Sequence, residues 1–199
     1  MKMQSAQILD RQRTTLVVVD MQDVFLSQIK VRRLIEDNVK LLMQVAFTLD
    51  IPIVATTQNG SKLGGVIPAL LDIGSIPIYD KLCFSCWQEE NFAHFLQETE
   101  RPQVLLTGIE GHICILQTAV DLINAGYAVH VPCDAVASRN KRDWKYALYR
   151  LQRAGAIVTS TESAIYEWLR EAGTDSFRQV LSLLKQKQES KSSDSGEED

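Results

Sequence analysis

The chain has no apolar run near the roughly 18–20 residues that a membrane-spanning helix needs. Its first residues, MKMQSAQILDRQR, are polar throughout, where a signal peptide would carry an apolar core. Basic residues are not in excess either. The 21 Lys and Arg stand against 25 Asp and Glu, for a net charge of −4, so the footprint of a nucleic-acid binder is missing. No G-x-G-x-x-G follows the first apolar run, which argues against a dinucleotide-dependent oxidoreductase. Cysteine is sparse. Cys83, Cys86, Cys114 and Cys133 sit in a chain with no mark of secretion, so they read as reduced thiols of a cytoplasmic protein and not as a disulfide framework. No internal repeat is present.

What is there fits one domain of ordinary size. The 199 residues are 45% hydrophobic, enough to fill a substantial core. The first strong element is TTLVVVD (14–20), a continuous β-branched run expected of a strand buried on both faces. A helix is expected over 32–49, where Leu34, Ile35, Val39, Leu42, Val45 and Ala46 recur at helical spacing. IPIVATT (51–57) and IPIYDK (76–81) read as strands, with a loop between them marked by Asn59-Gly60 and Gly64-Gly65. QEENFAHFLQET reads as a helix with Phe92, Phe95 and Leu96 inward.

The alternation continues in the second half. QVLLTG (103–108), AVHVPCDA and AIVTST are strands, and HICILQTAVDLINAG and DWKYALYRLQRAG are helices closed by Gly126 and Gly155. Helices over 161–170 and 176–187 complete the pattern. Six short strands separated by helices imply an α/β, Rossmann-like doubly wound parallel six-stranded sheet with helices on both faces. Residues 1–185 form the domain. From 186 to 199 the chain is rich in Ser and Glu, without a large apolar side chain, and reads as a disordered acidic tail.

In open parallel sheets ligands bind beyond the carboxyl ends of the strands, where strand order reverses. Asp20 closes the first strand, Asp80 and Lys81 close the third, and 108–114 bridge the fourth strand and its helix. With strands one and four adjacent, a carboxylate, an ammonium and a thiol converge. Cys114, in the first turn of a helix, is expected to have its thiol lowered toward the reactive range. Asp20 can take the thiol proton and return it to a leaving amine, and Lys81 can hold Asp20 and add positive potential. Backbone N–H groups of the 108–114 turn are oxyanion donors. Taken singly, each has a blander reading: a capping Asp, a solvated Lys, a buried Cys. Their joint placement makes the case.

Three motifs carry a likeness. Asp20-Met21-Gln22-x-x-Phe25 after a buried strand, Lys81 followed by Phe84-Ser85, and Gly108-Ile109-Glu110-x-x-x-Cys114 resemble the isochorismatase-like cysteine hydrolases. The resemblance covers about 14–162 and is nearest to the isochorismatase-domain-containing branch, where Gly-Ile-Glu and the later Ala-Ser-Arg (Ala137 to Arg139 here) are typical. It implies a Rossmann-like fold, an Asp20–Lys81–Cys114 triad, and a cis peptide between Ile109 and Glu110 that aims the Glu110 N–H, with that of Cys114, into an oxyanion hole. It also implies a homo-oligomer joined through the helices after strands four and five.

Departures from the family bear on the substrate. Nicotinamidases of the superfamily carry an Asp/His metal site after strand two. Here that segment is TTQNGSKLGG, with neither residue, so no metal and no cofactor are expected. Gly111 stands where many relatives have Thr, and Cys114 argues against vinyl-ether cleavage, because true isochorismatases lack it. Gln22, Phe25, Gln58, Trp87 and His112 are the candidate substrate-binding residues. Cys83 and Cys86 form a C-x-x-C with no second pair and are expected to pack at a helix start. Trp144 and Trp168 read as packing or interface residues.

The leading expectation is therefore a metal-independent cysteine hydrolase acting on a small amide-like substrate. Its rival is a catalytically silent protein of the same fold serving as a binding or scaffold subunit. Neither expects a nucleic-acid or membrane partner.

Overall fold

The structure is a computed structural model that describes residues 8–194, with side chains to 188. The 14–20 run forms β1 (Thr14–Val19), in which every residue is buried, as a strand covered on both faces should be. The one-turn helix α1 (Asp23–Leu26) and the long α2 (Arg32–Thr48) follow. β2 (Ile53–Gln58), the short α3 (Gly60–Leu63) and α4 (Pro68–Leu71), and β3 (Ile78–Lys81) come next. A 3₁₀ turn, Cys86–Gln88, leads into α5 (Glu90–Glu98) and then β4 (Gln103–Ile109).

The second half differs from the sequence reading where it matters. The helix expected from residue 112 begins as a wide π turn, Gly111–Ile115, and becomes α6 (Leu116–Asn124) only afterwards. β5 (Ala128–Pro132) stops short of the expected strand end, the remaining 133–135 form a turn, and a two-residue β6 (Val136–Ala137) follows it. α7 (Lys141–Ala154), β7 (Ile157–Thr159), α8 (Thr161–Leu169) and α9 (Asp175–Asp194) complete the order. The backbone is helical through 194, where the sequence reading expects the disordered tail to have begun. α9 is seated by Phe177, Val180, Leu183 and Leu184, and Lys, Gln and Glu after them continue a helix at little cost. The last part of that expected tail, 195–199, lies outside the described residues.

All the strand pairs are parallel, in the order β3-β2-β1-β4-β5-β7, with β6 beside the end of β4. Counting β6, the sheet has seven strands against the six expected. A two-residue strand is too short to show the alternation by which strands are recognised. Along β1 the period of two sends Leu16 and Val18 into one core with α2, α8 and α9. Val17 and Val19 enter a second core with α5, α6 and α7. Strand order reverses between β1 and β4, so the ends of these strands form the crevice that doubly wound sheets use for ligands. No helix of the described residues is long and apolar enough to cross a membrane.

Candidate active site

The site is built where β1 and β4 end. Gly108 pairs with Val19 and has a φ of 108°, and a Cβ placed on it would lie 2.1 Å from the Val19 carbonyl oxygen. Only glycine permits that approach. It brings the residue after β1 against the turn after β4. That residue, Asp20, has a φ of 51°, a left-handed conformation that Asp adopts more readily than most side chains.

The Asp20 carboxylate is almost fully buried and held from two sides. Oδ1 accepts from Thr56 Oγ1 of β2 at 2.8 Å, and Oδ2 accepts from Lys81 Nζ at 2.8 Å. Lys81 arrives at the end of β3, where the register sets it beside Gln58. Its ammonium has three donors, and three groups surround it: Asp20, Gln58 Oε1 at 2.8 Å, and Cys114 Sγ at 3.7 Å. Burial acts to lower the Lys81 ammonium, but the charge of Asp20 and the adjacent thiols outweighs it, and the group stays raised.

Cys114 departs from expectation. Instead of being lowered by a helix N-terminus, its thiol is pushed well up, first by burial and then by the Asp20 carboxylate, with Lys81 offsetting only part. The residue is 7% exposed and sits in a π turn, so desolvation dominates. These surroundings favour a neutral thiol beside an anchored carboxylate. This is not a preformed thiolate.

The cavity at this point is small, about 60 Å³. Phe25, Phe84, Ile109 and Ile113 are its apolar walls, and Asp20, Gln58, Glu110 and Cys114 its polar side. The Ile109–Glu110 peptide is cis. The Glu110 carboxylate is already occupied, accepting from the Arg139 backbone N–H at 3.0 Å and from Arg139 Nε at 3.1 Å.

Three sequence candidates lie elsewhere. Gln22 is fully buried and spent on the backbone: its amide donates to the carbonyls of Gln58 and Gly64 and accepts from the Gln58 N–H at 2.7 Å. It clasps the loop after β2 and does not line the cavity. Trp87 stands on the far side of the 3₁₀ turn, edge-on to Tyr127 with centroids 5.6 Å apart, beside Gln97 and Arg101. In that turn Cys86 is fully buried, while Trp87 is partly buried and packs on the outside of the same core. His112, in the π turn, has Nδ1 3.0 Å from Ser138 Oγ and is not part of the cavity lining.

Phe84 and Ile113, not named as pocket residues from sequence, line the cavity instead. Their signal was position alone, three residues after Lys81 and one before Cys114. The absence of a side chain at Gly111 also has a local cause: a Cβ there would come 3.1 Å from Val136 Cγ1 and 3.2 Å from Ser138 Oγ. β6 presses on the turn at that point. Among the described residues no three His, Cys, Asp or Glu side chains gather as cation ligands.

Comparison with known proteins agrees with this architecture. The isochorismatase domain model matches residues 14–163. Isochorismatase domain-containing protein 2 of Bos taurus is 37% identical over 86% of this chain and 82% of its own length. Among solved structures, one described as the MAR1 ribonuclease of Caenorhabditis elegans is 34% identical with a TM-score of 0.84, covering 89% of this chain and 92% of that one. The YcaC protein of Escherichia coli, described as an octameric hydrolase of unknown specificity, has a TM-score of 0.85 at 21% identity, covering 98% and 99%.

Proposed function

The chain belongs to the isochorismatase domain family, and we propose that this member is a cysteine hydrolase cleaving a small uncharged amide through a thioester on Cys114. The observation that carries the reading is the buried contact of one ammonium with both other groups: Lys81 Nζ lies 2.8 Å from Asp20 Oδ2 and 3.7 Å from Cys114 Sγ.

In the first half-reaction Cys114 Sγ attacks the substrate carbonyl as its proton passes to Asp20. The oxyanion is met by the backbone N–H groups of Glu110 and Cys114, at the turn that borders the cavity. Collapse breaks the C–N bond as Asp20 returns the proton to the leaving nitrogen, and the acyl group remains on sulfur. Water then attacks the thioester with Asp20 taking its proton. The C–S bond breaks, the acid leaves, and Sγ recovers its hydrogen. Lys81 stays cationic throughout. It offsets the Asp20 charge beside the thiol and fixes the carboxylate's orientation.

The substrate class follows from what the cavity lacks. Its two carboxylates are engaged by Lys81 and Arg139, and its remaining lining is the uncharged Gln58 and Cys114 with two phenylalanines and two isoleucines. A substrate carboxylate would find no unpaired cation among these lining groups, and burying it unpaired is expensive. A cavity of about 60 Å³ admits only a short acyl group. The four free thiols suit a reducing compartment such as the cytoplasm. Homo-oligomerisation, described for the octameric structural neighbour, is proposed for this chain as well.

The test uses iodoacetamide, itself a small uncharged amide, with mass spectrometry at each cysteine from pH 5 to 9. Cys114 reacts selectively in the folded protein, and Asp20→Asn alters its pH profile while leaving Cys83 and Cys133 unchanged. A Cys114 that is inert, or that ignores Asp20→Asn, sinks the proposal. Ammonia release from a panel of short amides, absent in Cys114→Ala, then identifies the acyl group.

A further inference from the structure

The mechanism uses neither member of the C-x-x-C pair, of which Cys86 is the buried one. Cys86 is fully buried, in the same core cluster as Cys114, and its Sγ lies 3.6 Å from Thr56 Oγ1. Thr56 Oγ1 is also 2.8 Å from Asp20 Oδ1. We propose that the Cys86 thiol is a positioning residue for Asp20, acting through the hydroxyl of Thr56.

The direction of each hydrogen bond follows from chemistry. An ionised carboxylate only accepts, so the single hydrogen of the Thr56 hydroxyl goes to Asp20. The oxygen of that hydroxyl is then the acceptor toward sulfur, and the Cys86 S–H donates. The thiol keeps its hydrogen at any working pH, because burial and then the Asp20 carboxylate push it up to about 11. The relay therefore runs one way, from Cys86 through Thr56 to Asp20.

The starting end is fixed as firmly as the other. The Cys86 backbone N–H donates to Thr118 Oγ1 at 2.9 Å, and Thr118 is a fully buried residue of α6. That helix continues directly from the turn carrying Cys114. The position of the base is thus tied to the element that bears the nucleophile. Linked hydrogen bonds polarise one another, and a donor aimed at a carboxylate favours its charged form. Without the thiol, the Thr56 hydroxyl donates to Asp20 less strongly, and the base is held less firmly.

This inference rests on Asp20 being the base for Cys114, and the experiment separates the two. The pH profile of Cys114 alkylation by iodoacetamide is measured for wild type, Cys86→Ala, Cys86→Ser, Thr56→Val and Asp20→Asn, with thermal denaturation alongside. Cys86→Ala moves the acid limb upward by about half a pH unit, the scale of one weak hydrogen bond. Cys86→Ser, which restores a donor, returns the limb to the wild-type position or below it. Thr56→Val, which removes the middle of the relay, moves it further up and keeps the test informative if Cys86→Ala folds poorly. Profiles of Cys86→Ala and Thr56→Val that superimpose on wild type, with only stability lowered, overturn the inference and leave Cys86 a packing residue. If Asp20→Asn also leaves the profile unchanged, the underlying assignment of the base fails with it.

Discussion

The ammonium of Lys81 and the carboxylate of Asp20 meet at 2.8 Å with side chains 0% and 2% exposed, the closest to fully sealed of the ion pairs among the described residues. A pair so placed contributes little net stability while intact. Breaking it leaves an uncompensated buried charge.

Lys81→Met is therefore expected to lower stability by about 3–5 kcal/mol at pH 7.5. Asp20→Asn combined with Lys81→Met should cost clearly less than the two single losses added. Urea denaturation of the two single variants and the double variant measures the coupling. Additive losses would show that the pair is not energetically joined.

Gly108 and Gly126 separate two reasons for glycine. Both have positive φ, but a Cβ on Gly108 meets the Val19 carbonyl at 2.1 Å, whereas one on Gly126 meets nothing within 4 Å. Gly126→Ala is expected to cost about 1 kcal/mol, the left-handed penalty alone. Gly108→Ala should cost at least about 3 kcal/mol and also slow Cys114 alkylation, because β1 and β4 must part. Equal losses in the two variants would contradict the close approach at the strand ends.

His130, in β5, is fully buried with neither ring nitrogen hydrogen-bonded within the protein, and burial lowers it to about 4. Between pH 6.5 and about 4 the unfolded chain binds a proton that the folded chain refuses, so stability falls as pH drops through that window. The full contribution is about 3 kcal/mol. His130→Leu should flatten the slope between pH 7 and 5 in denaturation experiments. An unchanged slope would assign the acid lability to other groups.

Gln22 and Trp87 were both candidate pocket residues on sequence, and the structure gives them other work. Gln22→Leu leaves the buried carbonyls of Gln58 and Gly64 and the Gln58 N–H without their partner, at an expected cost of about 2–4 kcal/mol. Trp87→Leu, outside the cavity lining, should leave the Cys114 alkylation rate within about twofold, because an apolar side chain still covers that edge of the core. Mass spectrometry and urea denaturation read the two effects. A large loss of Cys114 reactivity in Trp87→Leu would place that ring at the site after all.

The sequence by itself determined the parallel α/β architecture. Each central strand is a continuous β-branched run, and a strand buried on both faces admits little else. It also marked Asp20, Lys81 and Cys114 as candidates near strand ends, where the structure brings them together, because the ligand crevice of such a sheet is fixed by its topology. Tertiary structure decided the rest. Which neighbours of these residues face the cavity depends on the winding of two short turns, and 3₁₀ and π turns leave no periodicity to read. Trp87 and His112, candidates on sequence, therefore lie outside the cavity lining, which Phe84 and Ile113 join instead. The state of the Cys114 thiol was equally beyond the sequence: helix position alone argues for lowering it, and only burial beside Asp20 shows that desolvation wins. The same holds for Cys86, whose thiol acquires a partner only when β2 and the turn after β3 are folded against each other. Local pattern fixes what a segment becomes. The distances between side chains far apart in the chain are set by packing, and the chemistry of the site resides in those distances.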